Sequence, residues 1–261
     1  MRALKIAATG MAAQQMRVET ISNNLANMST TGYNTRRAEF ADLHYQQMTR
    51  PGTVNAADGT VLPTGVQLGL GVRPAAISVH LEQGSLSATG GDLDLAIEGN
   101  GYFEITLPSG QPAYTRDGAF KRSAEGVVVN SDGFTLAPEI VIPEDARSIS
   151  INGAGEVYAY FQDTAEAQQL GQLNLVGFTN AKGLEARGSN LFTETEASGP
   201  PITTTPGQDG LGTVRQGYLE DSSVDPVREV TELIEAQRGY ELNSKVISAA
   251  DQMLGATTQI R

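Results

Sequence analysis

From Leu4 the chain returns to an apolar residue every seventh position, at Leu4, Met11, Val18 and Leu25, with Ala7, Ile21 and Met28 on companion positions and Gln14 as the polar exception. Such spacing puts apolar side chains on one face of a helix and predicts an amphipathic helix of coiled-coil type. It should stop near Asn27, ahead of the turn-prone Ser29-Thr30-Thr31-Gly32. The other end of the chain carries a second helical pattern. Asp225 is suited to cap a helix with Pro226 in its first position, and Glu229 and Glu232 fall in the opening turns, where the helix dipole favours anions. Leu233, Tyr240, Ile247 and Leu254 recur every seven residues, and Leu242, Val246, Ala249, Met253 and Ile260 form a second stripe to one side. Two stripes on one helix predict more than one packing partner.

Between these helices the period changes from seven to two. Val66, Leu68, Leu70 and Val72 alternate with Gln67, Gly69, Gly71 and Arg73, and Phe103, Ile105 and Leu107 alternate with Glu104 and Thr106, as half-buried strands do. Further strand-like runs lie at 126–129, 149–151, 157–161 and 173–178. Turn chemistry at Ser109-Gly110, Asp117-Gly118, Asp132-Gly133 and Asn152-Gly153 reverses the chain between them. Residues 46–64 and 198–212, rich in Gly, Pro, Thr and Asn, read as long loops. The fold class expected is α+β: an antiparallel all-β body flanked by long terminal helices of coiled-coil type. The divisions expected are a discontinuous helical part, 1–35 and 223–261, an extended connector, 36–74, and a β-rich body, 75–222.

Composition narrows the chemistry. There is no cysteine in the 261 residues, so disulfides, thiolate metal sites and cysteine nucleophiles are excluded. With His44 and His80 the only histidines, a three-histidine zinc site is excluded too. A net charge of -12 argues against nucleic acid as a partner. The charge is concentrated in the middle, since residues 1–40 are net positive and residues 226–261 nearly neutral. No stretch approaches the roughly 18–20 apolar residues of a membrane span, so no direct membrane insertion is expected. Gln14, Gln15, Arg17 and Glu19 interrupt the first helix too early for a signal-peptide core, and no conventional cleaved leader is expected.

Isolated helices are marginal in water, because their stability comes mainly from packing an apolar face. If the two terminal helices pair, one seam on each is covered and the second stripe on the C-terminal helix is left bare. A bare apolar patch marks an interface, and a patch that meets a different face on an identical neighbour, repeated without closure, builds a helical filament. The candidate assembly interface is therefore Leu4, Met11, Val18, Ile21, Asn23, Asn24, Leu25 and Asn27 on the first helix, with Leu233, Gln237, Tyr240, Leu242, Asn243, Val246, Ile247, Met253 and Leu254 on the last. Residues 1–27 and 226–258 are expected to be frayed in the monomer and to order when stacked with neighbours.

Several runs resemble a known family. Ile21-Ser22-Asn23-Asn24-Leu25-Ala26-Asn27, Thr30-Thr31-Gly32-Tyr33 and Arg37-Ala38-Glu39-Phe40 resemble the N-terminal signature of bacterial flagellar rod and hook proteins. Gln237-Arg238-Gly239-Tyr240-Glu241-Leu242-Asn243-Ser244-Lys245, with Ala250-Asp251-Gln252-Met253-Leu254, is similar to that family's terminal helix. Leu93-Asp94-Leu95-Ala96-Ile97-Glu98-Gly99-Asn100-Gly101-Tyr102-Phe103, Tyr114-Thr115-Arg116-Asp117-Gly118-Ala119-Phe120 and Gln216-Gly217-Tyr218-Leu219-Glu220 resemble motifs of its β domain. Within the family, the length and the segment 51–74 resemble the distal-rod branch more than hook or proximal-rod relatives. The chain departs from the family pattern at Tyr33, often Phe, at Ser223, often Asn, and at Gly239, often Ala. A mid-helix glycine costs about 0.8–1 kcal/mol relative to alanine, so Gly239 implies a kink or a close helix contact.

The resemblance implies a structural subunit of a rigid, hollow drive shaft in the flagellar basal body, spanning the periplasm and carrying torque from motor to hook. It implies no enzymatic activity and no cofactor. The implied partners are further copies in a homo-polymer, proximal-rod proteins, the hook protein, the surrounding outer-membrane and peptidoglycan ring proteins, and the type III flagellar export apparatus.

Other readings of single residues stand beside it. Asn23, Asn24 and Asn27 can bond between subunits or shape the helix end and turn. Asp92 and Asp94 share a strand face with Glu98 nearby, which suits either a solvated acidic face or a carboxylate pair acting on cell-wall glycan. Gln237, Ser244 and Asp251 suit either solvent or polar contacts in a polymer. Arg238 and Lys245 suit salt bridges to Glu235 or Glu241, worth about 0.3–0.5 kcal/mol each.

Overall fold

A computed structural model of the chain describes residues 2–50, 64–161 and 167–259, without side chains at residue 254 and at residues 256–259. Most of the segment 51–74, the Leu254 side chain and Ile260 therefore lie outside the described residues or their described atoms. The two terminal helices are present, α1 at Arg2–Ala26 and α2 at Pro226–Gln259, and the residues between them form antiparallel strands. Asp225 does cap α2: its Oδ1 accepts from Val227 N at 2.9 Å and from Arg228 N at 3.3 Å.

The chain divides into two compact units. The first holds 1–26, 36–78 and 225–261. Its strand Arg36–Asp42 pairs with Val72–Val79, and Tyr45–Thr49 pairs antiparallel with Val66–Gly69. The stretch read from sequence as a loop from residue 46 thus begins as a strand. Tyr45 and Met48 lack a clean polar alternation, and it is the cross-strand partner, 17 or more residues away, that makes the segment extended. In the same way Ile202–Thr204, inside the expected loop 198–212, is recruited as a strand by Leu175–Gly177.

The second unit holds 27–35 and 79–224. Its largest sheet runs in the order Glu185–Gly188, Leu191–Thr193, Pro112–Thr115, Phe103–Thr106, Thr135–Ala137, Val128–Val129, Lys121–Arg122, and Ala146–Ile151, Glu156–Phe161 and Gln168–Gln172 form a three-stranded companion. Leu95, Ile97, Phe103, Leu136, Ile142, Leu173 and Leu175 are almost fully buried at its centre. Beside them Tyr102, Tyr114, Phe178 and Phe192 pack edge to face, with ring centroids 4.8–6.0 Å apart, the arrangement aromatic quadrupoles favour. The expected Gly turns serve different needs. Gly110 and Gly133 take positive φ, whereas at Gly118 a Cβ would collide with the Leu95 carbonyl oxygen, so there space and not conformation demands glycine.

Candidate assembly surface

α1 and α2 run antiparallel against each other. Gly10 meets the Asn243 side chain, Gly239 meets Gln14, and Arg17 reaches Glu232 and Glu235 at 3.4 and 3.6 Å. A Cβ on Gly239 would lie 3.1 Å from Gln14 Cδ and one on Gly10 3.0 Å from Asn243 Nδ2, so the two glycines mark a close helix contact. The fully buried helix residues, apart from Ile21, are small or polar: Ala7, Ala13, Thr20, Asn24, Glu229, Ala236 and Ala250. An alanine contributes a single methyl, about 0.8 kcal/mol when buried. This seam therefore covers little apolar surface.

The larger apolar side chains lie beside or away from it. Leu4, Met11, Val18, Leu25, Leu233 and Ile247 are half-buried, as are Asn27 and Asn243; Asn23 and Gln237 are exposed. Tyr240, Leu242, Val246 and Met253 are 44–65% exposed. At 100° per residue, Leu242, Val246 and Met253 fall to one side of the buried line through Ala236, Asn243 and Ala250, and Leu233 and Tyr240 to the other. A third exposed group, Val227, Val230 and Ile234, precedes the heptads; its spacing of three and four was present in the sequence but stands outside the seven-residue repeat. Arg238 and Lys245 make no ion pair among the described residues, and Glu235 pairs with Arg17 instead.

Asn24 is 1% exposed and its amide is engaged within the chain: Oδ1 accepts from Arg36 N at 3.0 Å, and Nδ2 donates to Arg36 O at 2.8 Å and to Glu229 Oε2 at 3.2 Å. Asn27 Oδ1 accepts from Thr30 Oγ1 at 3.2 Å.

In the second unit three of the motifs quoted above meet at one ion pair. Arg116 Nε donates to Glu220 Oε2 at 2.9 Å, with side-chain exposures of 9% and 3%. Arg116 Nη2 donates to Gly99 O at 2.9 Å, and Glu220 Oε1 accepts from Gly84 N at 3.1 Å. Gly32, at φ +65°, donates its N–H to Glu220 O at 2.8 Å, and a Cβ there would sit 2.8 Å from Arg116 C. Ser223 joins the same region: its Oγ accepts from Thr35 N at 2.9 Å. Sequence spacing carries no sign of this pairing, since Arg116 and Glu220 are 104 residues apart.

The acidic residues considered for glycan chemistry are dispersed into local contacts. Asp94 Oδ2 accepts from Thr89 Oγ1, Glu98 pairs with Arg215 at 3.7 Å, and Asp92 is exposed. Among the described residues no group of three or more His, Asp or Glu is placed to hold a metal, and no helix is long and apolar enough to cross a membrane.

Three family models match the chain: a flagella basal body rod protein model over residues 4–34, the D1 domain model of the flagellar hook protein FlgE/F/G over 96–159, and the C-terminal model of the flagellar basal body rod FlgEFG protein over 215–260. The flagellar basal-body rod protein FlgG of Caulobacter vibrioides is 51% identical over all of both chains. Its counterpart in Agrobacterium fabrum is 49% identical over 97% of each chain, and that of Borreliella burgdorferi is 46% identical over 100% of this chain and 99% of its own. With such identity along its whole length, and with terminal helices flanking an antiparallel β body, the chain belongs to the flagellar basal-body rod protein family and is a structural, non-enzymatic subunit of the basal-body rod.

Proposed function

We propose that copies of this chain stack through their terminal helices into the distal rod, a rigid hollow helical shaft that carries torque from motor to hook. The observation that supports this is the contrast on α2: its seam with α1 is small and polar, while Val227, Val230, Ile234, Leu242, Val246 and Met253 are all at least 42% exposed. In this reading 1–35 and 223–261 form the polymer core, 36–74 is the connector, within which 46–74 bridges adjacent subunits, and 75–222 is the outer body. The candidate interface residues from Leu4 to Leu254 supply the contacts, except Ile21 and Asn24, which are buried within the chain. The terminal helices gain order as neighbours cover them, so rigidity belongs to the polymer. Proximal-rod proteins, the hook protein and the ring proteins adjoin it, and type III export delivers it.

Burying an exposed leucine or valine fully is worth about 1.5–3 kcal/mol, so two charged substitutions on one stripe remove several kcal/mol from every contact. Leu242→Asp with Val246→Asp should abolish filament formation by the purified protein in electron micrographs while the near-ultraviolet circular dichroism of the body stays unchanged. Intact filaments from the double variant would overturn the reading.

A further inference from the structure

At the start of α2 the chain buries a carboxyl that pairs with no cation among the described residues. Glu229 is 6% exposed, it accepts the Asn24 Nδ2 hydrogen bond at 3.2 Å, and it takes part in none of the ion pairs among the described residues. Asn24 in turn pairs with both the N–H and the carbonyl of Arg36, as a neighbouring strand residue would. One amide thus ties the end of α1, the start of the strand Arg36–Asp42 and the opening turns of α2.

The charges around this point do not neutralise the carboxyl. Arg17 on α1 is held by Glu232 and Glu235, and Arg228 on α2 by Glu232 at 3.4 Å. The strand brings Arg36 and Arg37, neither of which forms an ion pair with Glu229, and Glu232, three residues along α2, adds negative charge. The free amides of a helix start stabilise an anion, but here Asp225 already occupies those of Val227 and Arg228.

We propose that Glu229 is a proton-linked latch on the helix pair: bringing α2 against α1 favours the protonated carboxyl, so mild acid tightens the pair and with it assembly. The link to assembly rests on the reading that the terminal helices mediate polymerisation. Protonation removes an unsolvated charge while the carboxyl still accepts the Asn24 N–H. Burial is the largest influence and lifts the carboxyl above its ordinary range; the Asn24 hydrogen bond opposes it, Glu232 reinforces it, and Arg228 and Arg17 oppose it. With the folded pKa raised, the paired state binds more protons than the unpaired one. Its advantage is largest below the ordinary carboxylate range and is lost as pH rises through the folded value.

The test is the critical concentration for polymerisation of the full chain at low salt, measured by sedimentation from about pH 4 to about pH 8, with helical melting followed by circular dichroism over the same range. The wild type should polymerise more readily as pH falls, with a Glu229-dependent slope of at most about tenfold per pH unit. Glu229→Gln should remove that component and polymerise at lower concentration than wild type at the upper end of the range. Arg228→Gln, an exposed substitution that withdraws an opposing charge, should shift the wild-type midpoint to higher pH, and it decides the matter if Glu229→Gln does not fold. An unchanged profile in Glu229→Gln, or an unmoved midpoint in Arg228→Gln, would overturn the latch. A wild-type chain that never polymerises, yet whose helical melting keeps a pH profile abolished by Glu229→Gln, supports the latch and overturns the assembly reading instead.

Discussion

Replacing Arg116 by methionine tests whether the buried ion pair holds the second unit together. The substitution keeps an unbranched side chain of similar reach but removes the Nε donor 2.9 Å from Glu220 Oε2 and the Nη2 donor 2.9 Å from the Gly99 carbonyl. Glu220, with its side chain 3% exposed, would keep only the Gly84 N–H at 3.1 Å as a hydrogen-bond donor to its carboxylate among the described residues. Removing one member of a buried pair costs about 3–5 kcal/mol, because the other charge stays desolvated. That is a fifth or more of the stability of an ordinary domain, about 5–15 kcal/mol. The chain has no tryptophan and eight tyrosines, so urea unfolding is followed by tyrosine fluorescence. At a slope of about 1–3 kcal/mol per molar, the midpoint should fall by roughly 2 M. Arg116→Met with Glu220→Leu should cost less than the two single changes added, since the orphaned charge goes with its partner. A single variant within about 1 kcal/mol of wild type would refute the reasoning, because it would mean that water or a rearranged donor replaces the guanidinium freely.

Gly32→Ala should destabilise the same unit by roughly 1–3 kcal/mol from backbone strain alone, with the Arg116 contact adding to it, and a thermal melting midpoint equal to wild type would show that the turn relaxes around the methyl. Tyr114, 1% exposed, is pushed up to about 12 by burial first, with Glu194 and Glu104 adding to the effect. Its folded form therefore holds a proton that the unfolded chain releases near pH 10, so this contribution to stability is present below about pH 10 and is lost as pH rises towards about 12. Urea midpoints measured on either side of pH 10 should fall more steeply in wild type than in Tyr114→Phe, and parallel slopes would contradict the assignment.

Local pattern made the extremities legible. The heptads at Leu4 to Leu25 and Leu233 to Leu254, the Asp225 cap and Pro226 place both helices within a residue or two, because a helix depends on neighbours three and four positions away. The runs at 149–151 and 157–161 similarly emerge as the hairpin Ala146–Ile151 and Glu156–Phe161. Segments such as Tyr45–Thr49, Glu185–Gly188 and Ile202–Thr204 escaped notice, since a short strand owes its extended form to a partner that no local spacing announces.

Local pattern along the chain set the architecture: two helices with more apolar surface than one mutual seam covers, a β body between them, no thiol chemistry, and, through its motifs, the family. How the helices meet depended on packing in three dimensions. Leu4, Met11, Val18, Leu25 and Leu233 lie at the margin of a contact made by Gly10, Gln14, Ala236, Gly239 and Asn243, because glycine and alanine let two backbones approach where larger side chains hold them apart. The same packing brought Arg116 to Glu220 and Asn24 to Glu229. Buried polar groups are satisfied by whatever the fold carries to them, and the identity of that partner is a property of three-dimensional closure and not of spacing along the chain.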